Sequence, residues 1–302
     1  MNPATEQLLR QRIAKLGNLP VLPTILQSLS ECLSRSAENV DVERVVDLIS
    51  CDESLAAQCL RLANSALFPH RSEVRTVRDA VRSLGLARVR DLVYSCSLPA
   101  LFANVKQGMA ANTFWRHALG TALISQYLAQ RLSIKGYERF YLAGLLHDVG
   151  ILVNALLFQE RFHEVLRLAQ TSEVPLVEVE RQSLGFSHCD SGRVLANLWK
   201  LPEDLATTIE CHHDAAIGGV DPEMTAVVAL ADSLCRLRGL GYGYYEAREF
   251  DLAAEQAWKF LAAKFPAAAQ LDVQGFTFEL DERAVQVGAL VDAILSGSKS
   301  SS

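Results

Sequence analysis

The stretch Tyr141-Leu142-Ala143-Gly144-Leu145-Leu146-His147-Asp148-Val149-Gly150 decides how this chain reads. An apolar run of helical character delivers an adjacent His-Asp pair, with small residues on either side. Burying two such polar groups is costly unless each finds a partner. A divalent metal would satisfy both, because neutral imidazole and carboxylate are each ligands for transition ions. The rest of the sequence is therefore read for further ligands.

The 302-residue chain is 50% hydrophobic and 21% charged, with a formal net charge of −6. This is the make-up of a globular protein with a sizeable core. The acidic balance argues against general nucleic-acid binding, which shows as a basic surplus. Seven scattered cysteines without a C-x-x-C pair suit a reducing compartment better than a disulfide framework. The start, Met1 to Glu6, is polar and has no signal-peptide core. No uninterrupted apolar run reaches the roughly 20 residues of a membrane span. A cytoplasmic protein with no membrane partner is expected, with a disordered tail over residues 297–302.

Nearly every segment has helical period, which predicts an all-α fold. A short amphipathic helix is expected over residues 5–16, stopped by Gly17. Pro20 and Pro23 make a rigid lead-in to a helix carrying Ile25, Leu29 and Leu33. Asp41 and Thr76 are candidate N-caps for two further helices, and Asp52 or Glu53 starts another between them. Gly85 separates the third from a long apolar helix running from Leu86 to about Ala103. These elements predict one helical lobe over residues 10–105. Arg71, Arg75, Arg78 and Arg82 would share a face if their stretch were helical throughout. That face reads as a solvated surface first and as a docking face for an acidic partner or phosphate second.

A hinge at Gln107-Gly108-Met109 opens the second lobe, residues 106–265. Its helices are expected over 114–132, 137–146, 158–171, 175–184, 188–199, 203–214, 222–237 and 248–264. Residues 266–302 form an extension. There Phe276, Phe278 and Leu280 alternate as in a brief extended segment. Asp281 would cap a last helix facing inward through Val285, Leu290, Val291 and Ile294, and an oligomer through this extension is one way to cover that face.

Five of the seven histidines, His117, His147, His188, His212 and His213, fall in or at the ends of apolar helices of the second lobe, with Asp148 and Asp232. Helical bundles build metal sites from side chains projecting inward in this way. Gly144 and Gly192 would keep bulk away from the site. Five imidazoles and two carboxylates exceed the needs of one ion, and a carboxylate such as Asp148 can bridge two. The spacing alone leaves open a core in which the histidines only hydrogen-bond. His70 and His163 are unpartnered and are set aside.

These residues resemble a known family. His117, the His147-Asp148 pair and Asp232 match the H…HD…D signature of the HD superfamily of metal-dependent phosphohydrolases. More closely, residues 19–214 resemble the HDOD domain, an HD-related output domain of bacterial signalling proteins. The first lobe carries this through Leu19-Pro20…Leu22-Pro23, Ile49 to Leu55, Leu62-Ala63-Asn64-Ser65 and Ser83-Leu84-Gly85-Leu86. The second does so through Phe114 to His117, Gly144 to Gly150, His188 to Gly192, Trp199 to Pro202 and His212-His213.

The resemblance implies two packed helical lobes, the second an HD-type bundle, and a regulatory role through signalling proteins or a small phosphorylated ligand. It also implies a degenerate catalytic centre, and here the chain departs from it: His117, His147, Asp148, His188, His212, His213 and Asp232 match the ligand positions of the related HD-GYP phosphodiesterases, which implies a mono- or dinuclear site for a divalent metal, iron first and manganese or zinc as alternatives. The related HD-GYP phosphodiesterases carry Lys where this chain has Ile151, and a GYP segment that it lacks after His213. Cyclic di-GMP hydrolysis is therefore not expected. An active phosphohydrolase on another phosphate ester is the alternative, with Arg116, Arg193 or Lys200 reaching the substrate. Cys189 and Cys211 beside His188 and His212 raise a redox role, against inert packing.

Overall fold

The computed structural model describes residues 3–15, 26, 41–65, 73–102, 111–172, 174–214, 217–242 and 251–297. Among them all regular structure is helical. The lead-in Pro20 to Pro23, the Ile25 helix apart from Leu26, the hinge at residues 107–109, Arg71, His70 and the tail beyond residue 297 lie outside them. The chain divides into two compact units, one of Met1–Leu19 with Asn104–Val287, the other of Pro20–Ala103 with Gly288–Ser302.

The first helix, α1 (Pro3–Lys15), belongs to the larger unit, not to the start of the first lobe as expected. Leu9 and Ile13, one turn apart, are both buried.

The smaller unit contains α2 (Val42–Ser50), α3 (Glu53–Ala63), α4 (Val77–Leu84) and α5 (Leu86–Leu101). The expected caps form: Asp41 accepts from Arg44 N at 3.1 Å and Asp52 from Leu55 N at 3.0 Å. Thr76 and Asp79 make a reciprocal capping box. Asn64 clamps the loop between α3 and α4, donating to Val74 O at 2.7 Å and accepting from Val74 N at 2.8 Å. Gly85 joins α4 to α5 at φ +84°, a left-handed conformation that a side chain resists. The arginine face does not form, because the helix starts only after Arg75. Arg75 pairs with Glu73 and Arg78 with Glu43.

The larger unit continues with α6 (Ala111–Arg131), a 3₁₀ turn (Tyr137–Arg139) leading into α7 (Phe140–Leu146), and α8 (Val149–Thr171). Then come α9 (Leu176–Leu184), α10 (His188–Leu198), α11 (Glu203–Cys211) and α12 (Pro222–Cys235). A kinked turn, Arg236–Leu240, follows α12. The chain ends with α13 (Gln256–Lys264), α14 (Pro266–Ala269) and α15 (Val273–Gly297). α8 starts earlier than expected, directly after Asp148, and non-helical backbone at Gln159 divides it. α13 starts later than expected, after a turn in which Asp251 accepts from Ala253 N at 2.9 Å.

The extended segment expected at Phe276 to Leu280 is instead helical, within α15. Alternation and helical spacing both pair Phe276 with Leu280, and only packing separates the two readings. Those two are buried while Phe278 between them is 65% exposed, as a helix requires. Asp281 therefore pairs with Arg238 at 2.6 Å rather than capping a helix, and Val285, expected inward, is exposed. Taken as one run, Tyr137–Thr171 is long and apolar enough to cross a membrane, but 89% of its most apolar window is buried, as in a core helix.

Close helix crossings build the site. A Cβ on Gly144 would lie 2.7 Å from Thr121 O, so α7 rests on the backbone of α6. A Cβ on Gly150 would lie 1.8 Å from His188 O, so α8 and α10 touch backbone to backbone there. Gly144 and Gly192 thus serve helix contact, not free space in the site.

Candidate metal centre

Four segments deliver the histidines. α6 carries His117, and the break between α7 and α8 carries His147 and Asp148. His188 is the first residue of α10, behind a Ser187–Asp190 capping box. His212 and His213 follow α11, and Asp232 sits on α12. His117, His147, Asp148, His188, His212 and Asp232 are all buried to 2% exposure or less.

Every buried histidine is held by its Nδ1. His117 donates to Leu240 O at 3.0 Å, His147 to Gly144 O at 2.7 Å and His212 to Ile209 O at 2.9 Å. His188 Nδ1 meets the Glu180 carboxylate at 2.6 Å. A carbonyl or carboxylate oxygen only accepts, so Nδ1 carries the proton and Nε2 is left facing inward. The Nε2 atoms of His117, His147 and His188 make no hydrogen bond.

These inward nitrogens meet carboxylate oxygens. Asp148 Oδ2 lies 3.1 Å from His147 Nε2 and 3.7 Å from His117 Nε2. Asp148 Oδ1 lies 3.2 Å from both His188 Nε2 and His212 Nε2. Asp232 Oδ1 lies 2.9 Å from His117 Nε2 and 3.8 Å from His147 Nε2. Lone pairs facing lone pairs need a proton or a cation between them. Two groups have ligand atoms within 4.8 Å of one another, His117-His147-Asp148 and Asp148-His188-His212-His213. Asp148 belongs to both. The orphaned nitrogens and the imidazole–carboxylate chemistry fit a metal centre.

The buried carboxylates and imidazoles shift one another. Burial pushes the Asp148 carboxyl up, but His147 and His188 outweigh it and hold it well below the carboxylate range. Asp232, also buried, is held low by Arg236 and then His117. Burial lowers His117, His212 and, furthest, His213. For His147 burial is outweighed by Asp148, and for His188 by Glu180 first, so both are raised.

A cavity of about 270 Å³ opens on the site, lined by Asp148, His188, His213, Arg236 and Tyr242 together with Glu178 and apolar residues including Ile151 and Leu176. Of the cations expected to reach substrate, none lines it. Arg116 and Lys200 are exposed, and Arg193 is spent on Glu203 at 2.7 Å and Glu210 at 3.6 Å. The cation present is Arg236, one helical turn beyond Asp232, whose Nε donates to Asp232 Oδ1 at 2.8 Å. That spacing was the signal available in sequence. Tyr242 is buried and donates to Asp148 Oδ2 at 2.9 Å. Cys189 and Cys211 do not suit redox chemistry: burial raises both thiols, Cys211 to about 11, which keeps them protonated. His163 is exposed, as its exclusion requires.

The HDOD domain family model matches residues 19–215, and the chain belongs to this family. An HDOD domain protein of unknown function from Geobacter sulfurreducens is 30% identical, over 96% of this chain and 98% of its own, with a TM-score of 0.84. A candidate phosphohydrolase from Shewanella amazonensis SB2B is 24% identical over 94% of this chain and 97% of its own, with a TM-score of 0.70. A candidate signal transduction protein from Marinobacter aquaeolei VT8 is 23% identical over 97% of this chain and 65% of its own, with a TM-score of 0.73. The last two share the fold. An uncharacterised protein of Treponema pallidum (strain Nichols) is 27% identical over 203 residues, which are 66% of this chain and 38% of that protein. The chain thus spans under two fifths of that relative's length.

Proposed function

We propose that this chain is a metal-binding regulatory module, whose HD-type body holds two divalent ions and acts through contacts with a signalling protein or a small phosphorylated ligand. One observation carries the metal part: three buried Nε2 atoms without hydrogen bonds converge on the carboxylates of Asp148 and Asp232. His117, His147, Asp148 and Asp232 would hold the first ion, and Asp148, His188, His212 and His213 the second. The imidazole-carboxylate set suits iron, manganese or zinc over calcium or magnesium, and iron is the leading choice.

Elemental analysis after anaerobic purification with added iron or manganese is expected to find about two ions per chain. Absence of any stoichiometric ion would sink this reading. Acid should release the ions in the histidine range rather than the carboxylate range. Asp148 and Asp232 stay ionised to strongly acidic pH. Protons therefore compete at the imidazoles, and affinity falls as pH drops through the histidine range. Titration calorimetry at three pH values checks both sign and range.

The cavity favours a second reading, phosphate-ester hydrolysis, because it brings a ligand to Asp148, His213 and Arg236. A metal pair would supply charge to offset that developing on a transferred phosphoryl group. Arg236 would orient the anion, and the apolar lining residues would exclude water. Two features weigh against it: Ile151 stands where the related phosphodiesterases have Lys, and Arg236 is already bound to Asp232. Turnover of a phosphomonoester panel that is lost in Asp148→Asn would favour this reading. Retention of a partner in pull-down by that same variant would favour a binding surface that works without the site.

A further inference from the structure

We infer that Glu180 is the positioning residue of the second ion site: it fixes His188 as a ligand and adds negative charge to a site whose one direct carboxylate, Asp148, is shared. The inference rests on the metal reading above.

Glu180 is wholly buried on α9, eight residues before His188. Three donors hold it. His188 N donates to Oε2 at 2.8 Å, His188 Nδ1 lies 2.6 Å from the same oxygen, and Asn154 Nδ2 donates to Oε1 at 2.9 Å. Ser191 Oγ in turn donates to Asn154 Oδ1 at 2.5 Å, which orients the amide. Glu180 thus grips both the backbone and the ring of one residue, and α8 and α10 brace it from the other side. A buried carboxylate is costly to maintain unless its charge is used or matched.

The two ion sites differ in a way that gives this charge a use. The first has two direct carboxylates, Asp148 and Asp232, the latter partly offset by Arg236. Its histidines lean on neutral backbone carbonyls, of Leu240 and Gly144. The second has three imidazoles and only the shared carboxylate of Asp148. Glu180 provides a second anion one bond removed, through the His188 ring. A carboxylate on the far nitrogen of an imidazole also makes the near nitrogen a stronger donor. Among the four wholly buried histidines, His188 alone has a carboxylate there.

The test is an anaerobic spectrophotometric titration of the full chain with Co(II). His117→Ala and His188→Ala identify which binding phase belongs to which site. Glu180→Gln keeps the side-chain volume and removes the charge. It is expected to weaken the His188 phase by about 10- to 100-fold and to leave the His117 phase within about twofold. Equal weakening of both phases, or a lowered melting temperature with both phases intact, overturns the inference. If Glu180→Gln does not fold, Asn154→Ser serves instead. It frees one carboxylate oxygen and should weaken the His188 phase alone, by a smaller factor; equal weakening of both phases again overturns it. Failure of the wild-type chain to bind Co(II) at all would count against the metal reading itself, which is a separate outcome.

Discussion

Replacing Asp148 with asparagine is expected to abolish ion uptake at both positions at once. Asp148 is shared: Oδ2 faces His117 and His147, and Oδ1 faces His188 and His212. The amide keeps the shape but loses the charge and turns one acceptor into a donor. His117→Ala and His188→Ala should each remove one ion and leave the other. Metal content measured on the three variants separates a bridged pair from two independent sites, because independent sites would leave Asp148→Asn with one ion. Stability should follow. Saturation at 1,000 times the dissociation constant adds about 4 kcal/mol per site to a fold that alone binds the ion. Melting of the wild-type chain should therefore rise with added metal, and that of Asp148→Asn should not.

Gly150→Ala is expected to cost about 3 kcal/mol or more and to lose the second ion with it, since overpacking a close contact usually costs 1–3 kcal/mol and here backbone opposes backbone. The new Cβ would fall 1.8 Å from His188 O and 2.7 Å from Gly192 N. Neither atom can turn aside, so α8 and α10 must part, and His188 moves away from Asp148. Gly192→Ala provides the contrast. Its Cβ would meet Ile209 Cγ2 at 2.6 Å, the end of a side chain that can change rotamer. A cost of about 1 kcal/mol is expected there. Denaturant melts of the two variants would contradict the crossing as described if Gly192→Ala proved the more damaging.

The histidine-rich reading shows where sequence is informative. His147-Asp148 within an apolar run already demanded a partner, because burial of paired polar groups does so in any fold. The caps at Asp41, Asp52 and Thr76 were equally legible, being local hydrogen bonds within a few residues. Glu180 and Tyr242 were not. Glu180 lies among ordinary helix-surface residues, and Tyr242 sits in a glycine-aromatic run that reads as loop. Their partners are His188, Asn154 and Asp148, and the Tyr242–Asp148 contact spans 94 positions. Phe276 and Leu280 show the opposite failure, a local pattern compatible with two structures.

Hydrophobic period was enough to predict an all-helical chain, and the motifs around His117, His147-Asp148, His188 and His212-His213 carried the HDOD resemblance and marked these residues, with Asp232, as candidate ligands. Only the packing decided which side chains lie against each oxygen of Asp148, that Arg236 rather than Arg116, Arg193 or Lys200 lines the cavity, and that Glu180 backs His188. The physical reason is that helix crossings at Gly144 and Gly150 set which side chains meet, and a crossing is a contact between distant backbones that no local spacing encodes.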